Sequence, residues 1–534
     1  MVGAVTLSTA MTFAGCGGGG GSDDANEPSP PTDSSTPGVA IVSTAGIVVT
    51  ASTPAEIRSD QQCSLIEAII NANNDASTHA DCAPGNGADV IVLPASSAQL
   101  LTTTNNSVYG PTGLPVITST LTIEGKGSSI TRDSSAPSFR IFAVTKDAEL
   151  HLRNTTISGG ASVRYGDPSQ GGGIGYGDPS QGGGILNYGT LDVYNSKISD
   201  NTSALGGGGI HSEGGSLVIR DSILSGNMAE GAGGAISQVR NSGTLINNDC
   251  SGNTALLDGG CMWVGATSIV TVTDSTIRNN FGKAGGGLRA EWNSVLVVSN
   301  STVSDNRAWG RGGGISNGAH ATALVLNSTI ANNASEYYGG GVLSAGSLTF
   351  VKDSTVSGNS APRGGGIATG SSGTNGGTIM VMSSTIAFNQ ASESGGGVIS
   401  LTSRPLILSH ALIVGNTAVN QPSEVYDSAG TVMANAFNLF GYGGNAAVVG
   451  LQPGASDIVG PGAIDVILDA ELRNNGGPTD THALNVGSPA INSGDPRAST
   501  MEQGGEWMYD QRGPDFLRFD GVSGTVDIGA FEAQ

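Results

Sequence analysis

An asparagine returns along most of this chain at nearly equal intervals. It follows a Ser-Thr-aliphatic element and stands at Asn201, Asn227, Asn253, Asn280, Asn306, Asn333, Asn359, Asn389 and Asn416. The steps are 26, 26, 27, 26, 27, 26, 30 and 27 residues. A fixed period of this length implies stacked units that bury a continuous core between neighbours. Aliphatic residues keep the same period: three before each asparagine (Ile198, Leu224, Ile277, Val303), eight before (Val193, Ile219, Val272, Val298), and eight or nine after (Ile210, Ile236, Leu288, Ile315). Each unit therefore offers three short strands with one inward stack apiece. Strand alternation turns Ser196, Ser222, Ser275, Ser301, Ser328, Ser354 and Ser384 inward as well. The expected fold is all-β: a right-handed parallel β-helix solenoid of about 26 residues per rung, its hand set by the usual hand of parallel crossovers. Leucine-rich repeats need a longer leucine consensus and propeller blades a longer period.

The asparagines fall where the chain must turn. Asn tolerates left-handed backbone geometry, and stacked amides can hydrogen-bond from rung to rung. The glycine triplets that follow suit a corner too crowded for a Cβ. A second polar ladder, Asn195, Asp221, Asn247, Asp274, Asn300, Asn327 and Asp353, lies six residues before each asparagine and reads as another bend.

Composition supports the pattern. Glycine accounts for 85 of 534 residues, and the glycines recur at fixed places, which low-complexity sequence does not require. The formal charge is 22 − 44 = −22. Nucleic acid and anionic membranes need a basic footprint, so neither is an expected partner. Membrane contact is expected only through an N-terminal lipid.

That lipid is implied by residues 1–16. VGAVTLSTAMTFA has the length of a signal-peptide core and ends in Phe13-Ala14-Gly15-Cys16. It resembles a bacterial lipoprotein signal, which implies acylation of Cys16. Residues 17–45 are rich in Gly, Ser, Pro and Asp and read as a tether. The other four cysteines form two sequence-local pairs, Cys63 with Cys82 and Cys250 with Cys261. An oxidising compartment would oxidise such pairs. Cys250 occupies an inward aliphatic position and Cys261 precedes the next inward residue, so a disulfide is expected between them across the asparagine turn.

An open β-helix exposes core and sheet edges, and its ends need covers. In CSLIEAIINANNDASTHADC, residues 63 to 82, Ser64 and Glu67 form a capping box and Leu65, Ile69 and Ile70 an apolar face. An N-terminal cap is expected over 46–87, with a short amphipathic helix in this stretch. The stretch resembles the CSLREA domain, with Ile66 in place of its arginine; that family heads secreted bacterial β-helix proteins. ADVIVLPA and LTIEGKGSSITR are similar to its first rungs, and the β-helix is expected over 88–450. Residues 451–534 resemble the choice-of-anchor Q domain through NNGGPTDTHALNVGSPAINSGD and DQRGPDFLRFDGVSGTVDIGAFE. That resemblance implies display at a surface, here with the N-terminal lipid in place of a following anchor. The middle repeats are similar to polymorphic outer-membrane-protein and autotransporter passenger repeats. Together these features imply an exported protein: an outer-membrane or cell-surface lipoprotein, or an extracellular one.

No catalytic constellation is expected. The histidines are scattered, and neither the clustered aspartates of β-helix hydrolases nor the calcium-binding aspartates of the lyases are found. Asp221 and Asp274, two rungs and about 10 Å apart, alternate with Asn along their ladder as turn residues do. Asp520 and Asp527 flank GVSGTV, but a single carboxylate pair is far from a calcium coordination set. No metal and no cofactor is expected. One cluster rises above scaffold: Phe281 and Lys283, then Trp309 and Arg311, then Tyr337 and Tyr338, each just after a ladder asparagine on three consecutive rungs. In a row about 5 Å apart they would suit a glycan chain or a partner protein. The expected function is adhesion or glycan binding at a host or environmental surface by a non-catalytic monomer. The alternatives are a polysaccharide lyase or hydrolase and a purely structural envelope protein.

YGDPSQGGGIG at 165 to 175 is repeated at once as YGDPSQGGGIL. Eleven residues are too few for another rung, so one copy is expected outside the strand register, with Ile185 in register. Deleting residues 165 to 175 is expected to leave folding cooperative and shift stability by about 1 kcal/mol or less, because loop-closure entropy grows only logarithmically. A chemical denaturation curve of the deletion variant checks this.

Overall fold

The computed structural model describes residues 46–51, 57–164, 178–370, 376–420, 424–434, 436–441, 448–460, 462–496, 508–518 and 525–533. The signal, the tether and Cys16, the duplicated segment 165 to 175 and Asp520 lie outside these residues. The chain winds into a parallel β-solenoid of about twelve turns. Strand pairing begins at Ile47–Val48, which pairs with Ile91 and Val92, and reaches Ile458–Val459, which pairs with Leu439 and Phe440.

A representative rung contains four strands rather than the three expected: Ser216–Arg220, Ile223–Ser225, Met228–Ala229 and Ile236–Val239. The first two belong to one bent sheet of 26 strands, because Thr120–Arg132 and Glu149–Ser158 run straight through the bend. The third strand builds a separate ten-stranded sheet and the fourth a twelve-stranded one. The third strand escapes a search for aliphatic stacks because its inward residues are small: Ser203, Ala229, Ala255, Ala308, Ser335, Ala361 and Ala391, all buried. The other three stacks fall where the period places them, as in Ile219 with Leu245, Leu224 with Cys250, and Ile236 with Met262.

Each corner of that rung carries one left-handed residue: Asp221 (φ 52°), Gly226 (φ 66°), Gly233 (φ 75°) and Arg240 (φ 52°). The second polar ladder is therefore a bend, as expected, with φ of 45° to 54° from Asn195 to Asp353. The asparagine ladder corrects the expectation. Left-handed geometry falls on the residue before it, such as Asn279, Asp305 and Asn332. The asparagine itself turns inward and is buried from Asn201 to Asn416. Its Oδ1 accepts both the backbone N–H and the Nδ2–H of the asparagine one rung earlier: Asn280 N and Nδ2 lie 3.0 and 2.9 Å from Asn306 Oδ1. Its own Nδ2 donates to a carbonyl of the earlier rung, Ile277 O at 2.9 Å, and to Asn333 Oδ1 at 3.0 Å. The chain of amides begins at the Gly160 N–H on Asn201 Oδ1. It ends where Asn416 donates N and Nδ2 to Glu424 Oε2, at 3.2 and 2.6 Å.

The inward serines form a second buried ladder, each hydroxyl accepting the backbone N–H of the preceding rung, as in Ser275 N to Ser301 Oγ at 3.1 Å. Asn248 replaces serine in one rung and serves the same role through Oδ1. The glycine triplet is a matter of space. A Cβ on Gly313 would lie 2.3 Å from Gly340 O, and one on Gly314 would lie 3.0 Å from Asn333 Cγ. Cys261 replaces the third glycine of its rung, so its side chain points inward, where Sγ bonds Cys250 (2.04 Å).

The helix α1, Leu65–Asn74, covers the first rungs. Ser64 Oγ accepts the Glu67 N–H and Glu67 accepts the Ser64 N–H, the expected capping box. Ile66, Ala68 and Ala72 join Leu65 and Ile69 in the buried face, while Ile70 packs only at its edge. Cys63 and Cys82 are bonded (1.98 Å). Ile185 pairs with Phe142 and Ile210 and is in register, as expected.

The C-terminal region lies along the side of the solenoid. It covers the outer face of the second strands over the last rungs, where Leu412, Val414, Ala387 and Leu439 pack against Ile467, Leu468, Ala490 and Ile528. Outward hydroxyls read it: Thr329 Oγ1 donates to Asp480 O, Thr355 Oγ1 to Gln511 Oε1, Ser357 Oγ bonds His482 Nε2, and the Ala530 N–H donates to Thr385 Oγ1. Fully buried Arg518 donates to Asp353 Oδ1 (3.0 Å), Ser383 O and Gly529 O. Arg512 is bidentate on Asp510 and lies 3.8 Å from the ring centroids of both Phe516 and Phe531.

Two outcomes test this packing. Asn306→Leu leaves several buried donors and acceptors unpaired at about 1–3 kcal/mol each, so a loss of about 3 kcal/mol or more is expected in chemical denaturation. The second concerns pH. Burial pushes the Glu424 carboxyl from 4.5 up to about 8. Between those values the folded chain holds a proton that the unfolded chain releases, so this group's contribution to stability falls as pH rises through the window. Glu424→Gln keeps an acceptor and removes the titration; its melting temperature relative to the parent is expected to rise from pH 5 to pH 8.

Candidate functional site

Of the candidate binding residues, Phe281, Lys283, Trp309 and Arg311 lie on short strands of the ten-stranded sheet, and Tyr337 and Tyr338 lie just beyond one. Position one of these strands forms a register column in which Phe281 pairs with Thr254 and Arg307, and Arg307 with Ala334. Trp309 stands two positions further along Arg307–Arg311, and Tyr337 and Tyr338 follow the end of Ala334–Ser335. The three rungs therefore do not stack their aromatics in one row. A bulge between Gly282 and Ala284 shifts the register further. Among the described residues no ring–ring contact joins Phe281, Trp309, Tyr337 and Tyr338.

Cations sit beside the rings instead. Lys283 Nζ lies 5.3 Å from the Trp309 ring centroid, and the Arg311 and Arg363 guanidiniums lie 5.5 and 5.9 Å from that of Tyr338. Such contacts hold a ring in place electrostatically through its quadrupole. Tyr338 also packs, partly buried, against the cluster of Leu343, Ala345, Ala368 and Ile399. Phe281 is half-buried. Trp309 and Tyr337 remain 38% and 56% exposed, which leaves these two rings available for contact. Salt bridges flank them, Arg307 to Glu336 (3.1 Å) and Arg363 to Glu393 (2.5 Å).

The same face continues into a depression of about 500 Å³ over the following rungs. Ser360, Pro362, Gln390, Ser392, Thr417 and Val419 line it from consecutive strands. The sequence reading missed these residues, although a countable signal existed. Pro362, Ser392 and Val419 each stand three residues after a ladder asparagine, as Lys283 and Trp309 do. The surface thus offers two exposed rings, three cation–ring contacts and a shallow trough of hydroxyl and amide groups. It can stack on apolar faces and hydrogen-bond polar edges.

Asp221 and Asp274 are bend residues, and Asp221 Oδ1 accepts from Asn247 Nδ2 at 2.6 Å. Asp527 accepts the backbone N–H groups of Asn492 and Ala533 and serves the C-terminal packing.

Residues 183–360, about a third of the chain, match the family model described as the right handed beta helix region. The parallel β-solenoid described above fits that description. No curated protein matches. Among solved structures, the crystal structure of pectate lyase Pel9A is similar at 13% identity and a TM-score of 0.39, over 92% of this chain and 98% of that one.

Proposed function

We propose that this protein is a non-catalytic binding scaffold, exported and surface-displayed, whose ten-stranded sheet presents a face for glycan or partner binding. The observation that carries the reading is the continuity of exposed Trp309 and Tyr337 with the trough from Ser360 to Val419. Sugar rings stack on aromatic faces, and their hydroxyls suit Ser, Thr and Gln side chains. The rung spacing of about 4.8 Å is close to the length of one sugar unit, so a polymer can repeat one contact from strand to strand. The two disulfides suit an oxidising compartment. Among the described residues no helix is long and apolar enough to cross a membrane. The lipoprotein-like signal and the resemblances to the CSLREA and choice-of-anchor Q domains support display on a bacterial surface.

The test is a glycan array on the purified chain with a depolymerase assay alongside. Binding without cleavage is the expected result. The double variant Trp309→Ala, Tyr337→Ala is expected to abolish that binding and leave the melting temperature nearly unchanged, since neither ring is buried. Release of unsaturated or reducing sugars would replace this reading with a lyase or a hydrolase.

A further inference from the structure

The corner between the fourth strand of one rung and the first strand of the next changes form in mid-solenoid. At Gly214 (φ 72°), Arg240 (φ 52°) and His320 (φ 59°) it carries one left-handed residue. Two consecutive rungs between Arg240 and His320 carry a pair instead: Ala266 and Thr267 (φ 41° and 63°), then Trp292 and Asn293 (φ 56° and 61°). A corner alone asks for Gly, Asn or Asp, and a β-branched residue or an indole there is strained. Surrounding bonds hold the strained turn. The Glu291 N–H donates to Val264 O (2.8 Å) and Ser294 Oγ (3.0 Å), Ser294 Oγ donates to Val264 O (3.1 Å), and buried Arg289 donates to Glu291 Oε1 (2.9 Å). Trp292 stands edge-to-face with Trp263, with 5.5 Å between ring centroids and 87° between planes. Trp263 is buried, and its ring fills the space over Gly265, where a Cβ would lie 2.2 Å from Cη2. Trp292 nevertheless remains 47% exposed. Backbone strain and a half-wetted indole both oppose folding, and strain held in place by its surroundings points to function.

We propose that Trp292 is the platform of a second carbohydrate-binding site, separate from the face that carries Trp309 and Tyr337. The site lies on the corner that follows the fourth strand Leu288–Ala290, whereas Trp309 lies on the third strand of the next rung, Arg307–Arg311. The indole stacks on the apolar face of one sugar ring. Its neighbours supply polar groups for the rim of that ring. Thr267 lies one rung before, through its N–H on Trp292 O (2.9 Å), and Arg240 one rung earlier again, through its N–H on Ala266 O (3.0 Å). The Trp292 N–H donates to Ala319 O (2.8 Å), which places His320 one rung beyond. Thr267, Asn293 and His320 are exposed, and the Arg240 side chain, bonded to Glu213, is 47% exposed. At a rung spacing of about 4.8 Å, these groups line the corner on both sides of the indole. A sugar has an apolar face and a hydroxyl rim, which matches one ring framed by hydroxyl, amide, imidazole and guanidinium groups. A protein partner needs a wider apolar centre. The turn is already fixed by its own hydrogen bonds, so binding orders no loop. A single stacked ring binds weakly, with a dissociation constant on the order of 1 mM, too weakly to be retained on a washed array.

Saturation-transfer NMR of the full chain tests this, with methyl β-glucoside, methyl β-galactoside and N-acetylglucosamine as separate probes. The chain carries Trp309→Ala and Tyr337→Ala throughout, so the ten-stranded sheet contributes no exposed ring. Transfer to at least one of the three sugars is expected. Adding Trp292→Ala is expected to weaken it at least about tenfold, and Trp292→Phe to keep it. Trp292→Asn separates binding from packing, because Asn suits left-handed geometry. It is expected to abolish transfer and to leave the melting temperature within about 2 °C of the parent's. Transfer that survives Trp292→Asn, or a larger fall in melting temperature, would make Trp292 a cover for Trp263 and overturn the proposal. Absence of transfer to all three sugars would overturn it too, whatever the array shows for the other face. Trp292-dependent transfer beside an array that retains nothing would support this site and overturn only the reading of the ten-stranded sheet.

Discussion

The buried amide ladder is the interaction on which the rest of the solenoid depends. The side chain of an interior asparagine such as Asn306 ties its neighbours through four hydrogen bonds, two accepted and two donated, in a buried position. A polar group left unpaired there would cost more than the net gain of a typical hydrogen bond. The ladder therefore fixes the register of the turn in every rung together, and a one-residue slip in any strand would break it. The glycine triplets follow from the same constraint, since the amides and the neighbouring carbonyls occupy the space a Cβ would need. At the C-terminal end, Glu424 closes the ladder with a buried carboxyl whose proton affinity is raised by that burial.

With the interior so constrained, differences among rungs are expressed on the outer faces. The second strands carry hydroxyls and small apolar residues where the C-terminal region packs, locked by the Arg518–Asp353 pair. The third strands carry exposed Trp309, Tyr337 and the trough beside them. The first strands turn from charged to apolar along the axis. One stack thus presents three chemically separate surfaces: one covered within the chain, one with exposed rings and polar side chains, and one that is apolar over its later rungs. Their separation follows from geometry. A strand alternates inward and outward, so outward positions can vary without disturbing the core.

Much of this was legible in the sequence, because the period, the inward aliphatic stacks and the serine column are properties of local alternation repeated at constant spacing. The capping box of α1 and both cysteine pairs were legible for the same reason: each involves residues close in sequence whose geometry is set locally. What tertiary structure decided lies in relations between rungs. The third strand was invisible because its inward residues are small where the glycine turn presses against it. The left-handed residue proved to precede the ladder asparagine, because that side chain must face inward to meet its neighbours on the adjacent rungs. The aromatic residues shared a sequence neighbourhood without sharing a column, since one bulge and a two-position offset separate Phe281 from Trp309. The placement of the C-terminal region rests on contacts more than a hundred residues apart, such as Thr355 with Gln511. Sequence determined the repeat, because each rung obeys local rules; only the fold decided which outward residues meet, because that depends on the register between strands that are neighbours in space alone.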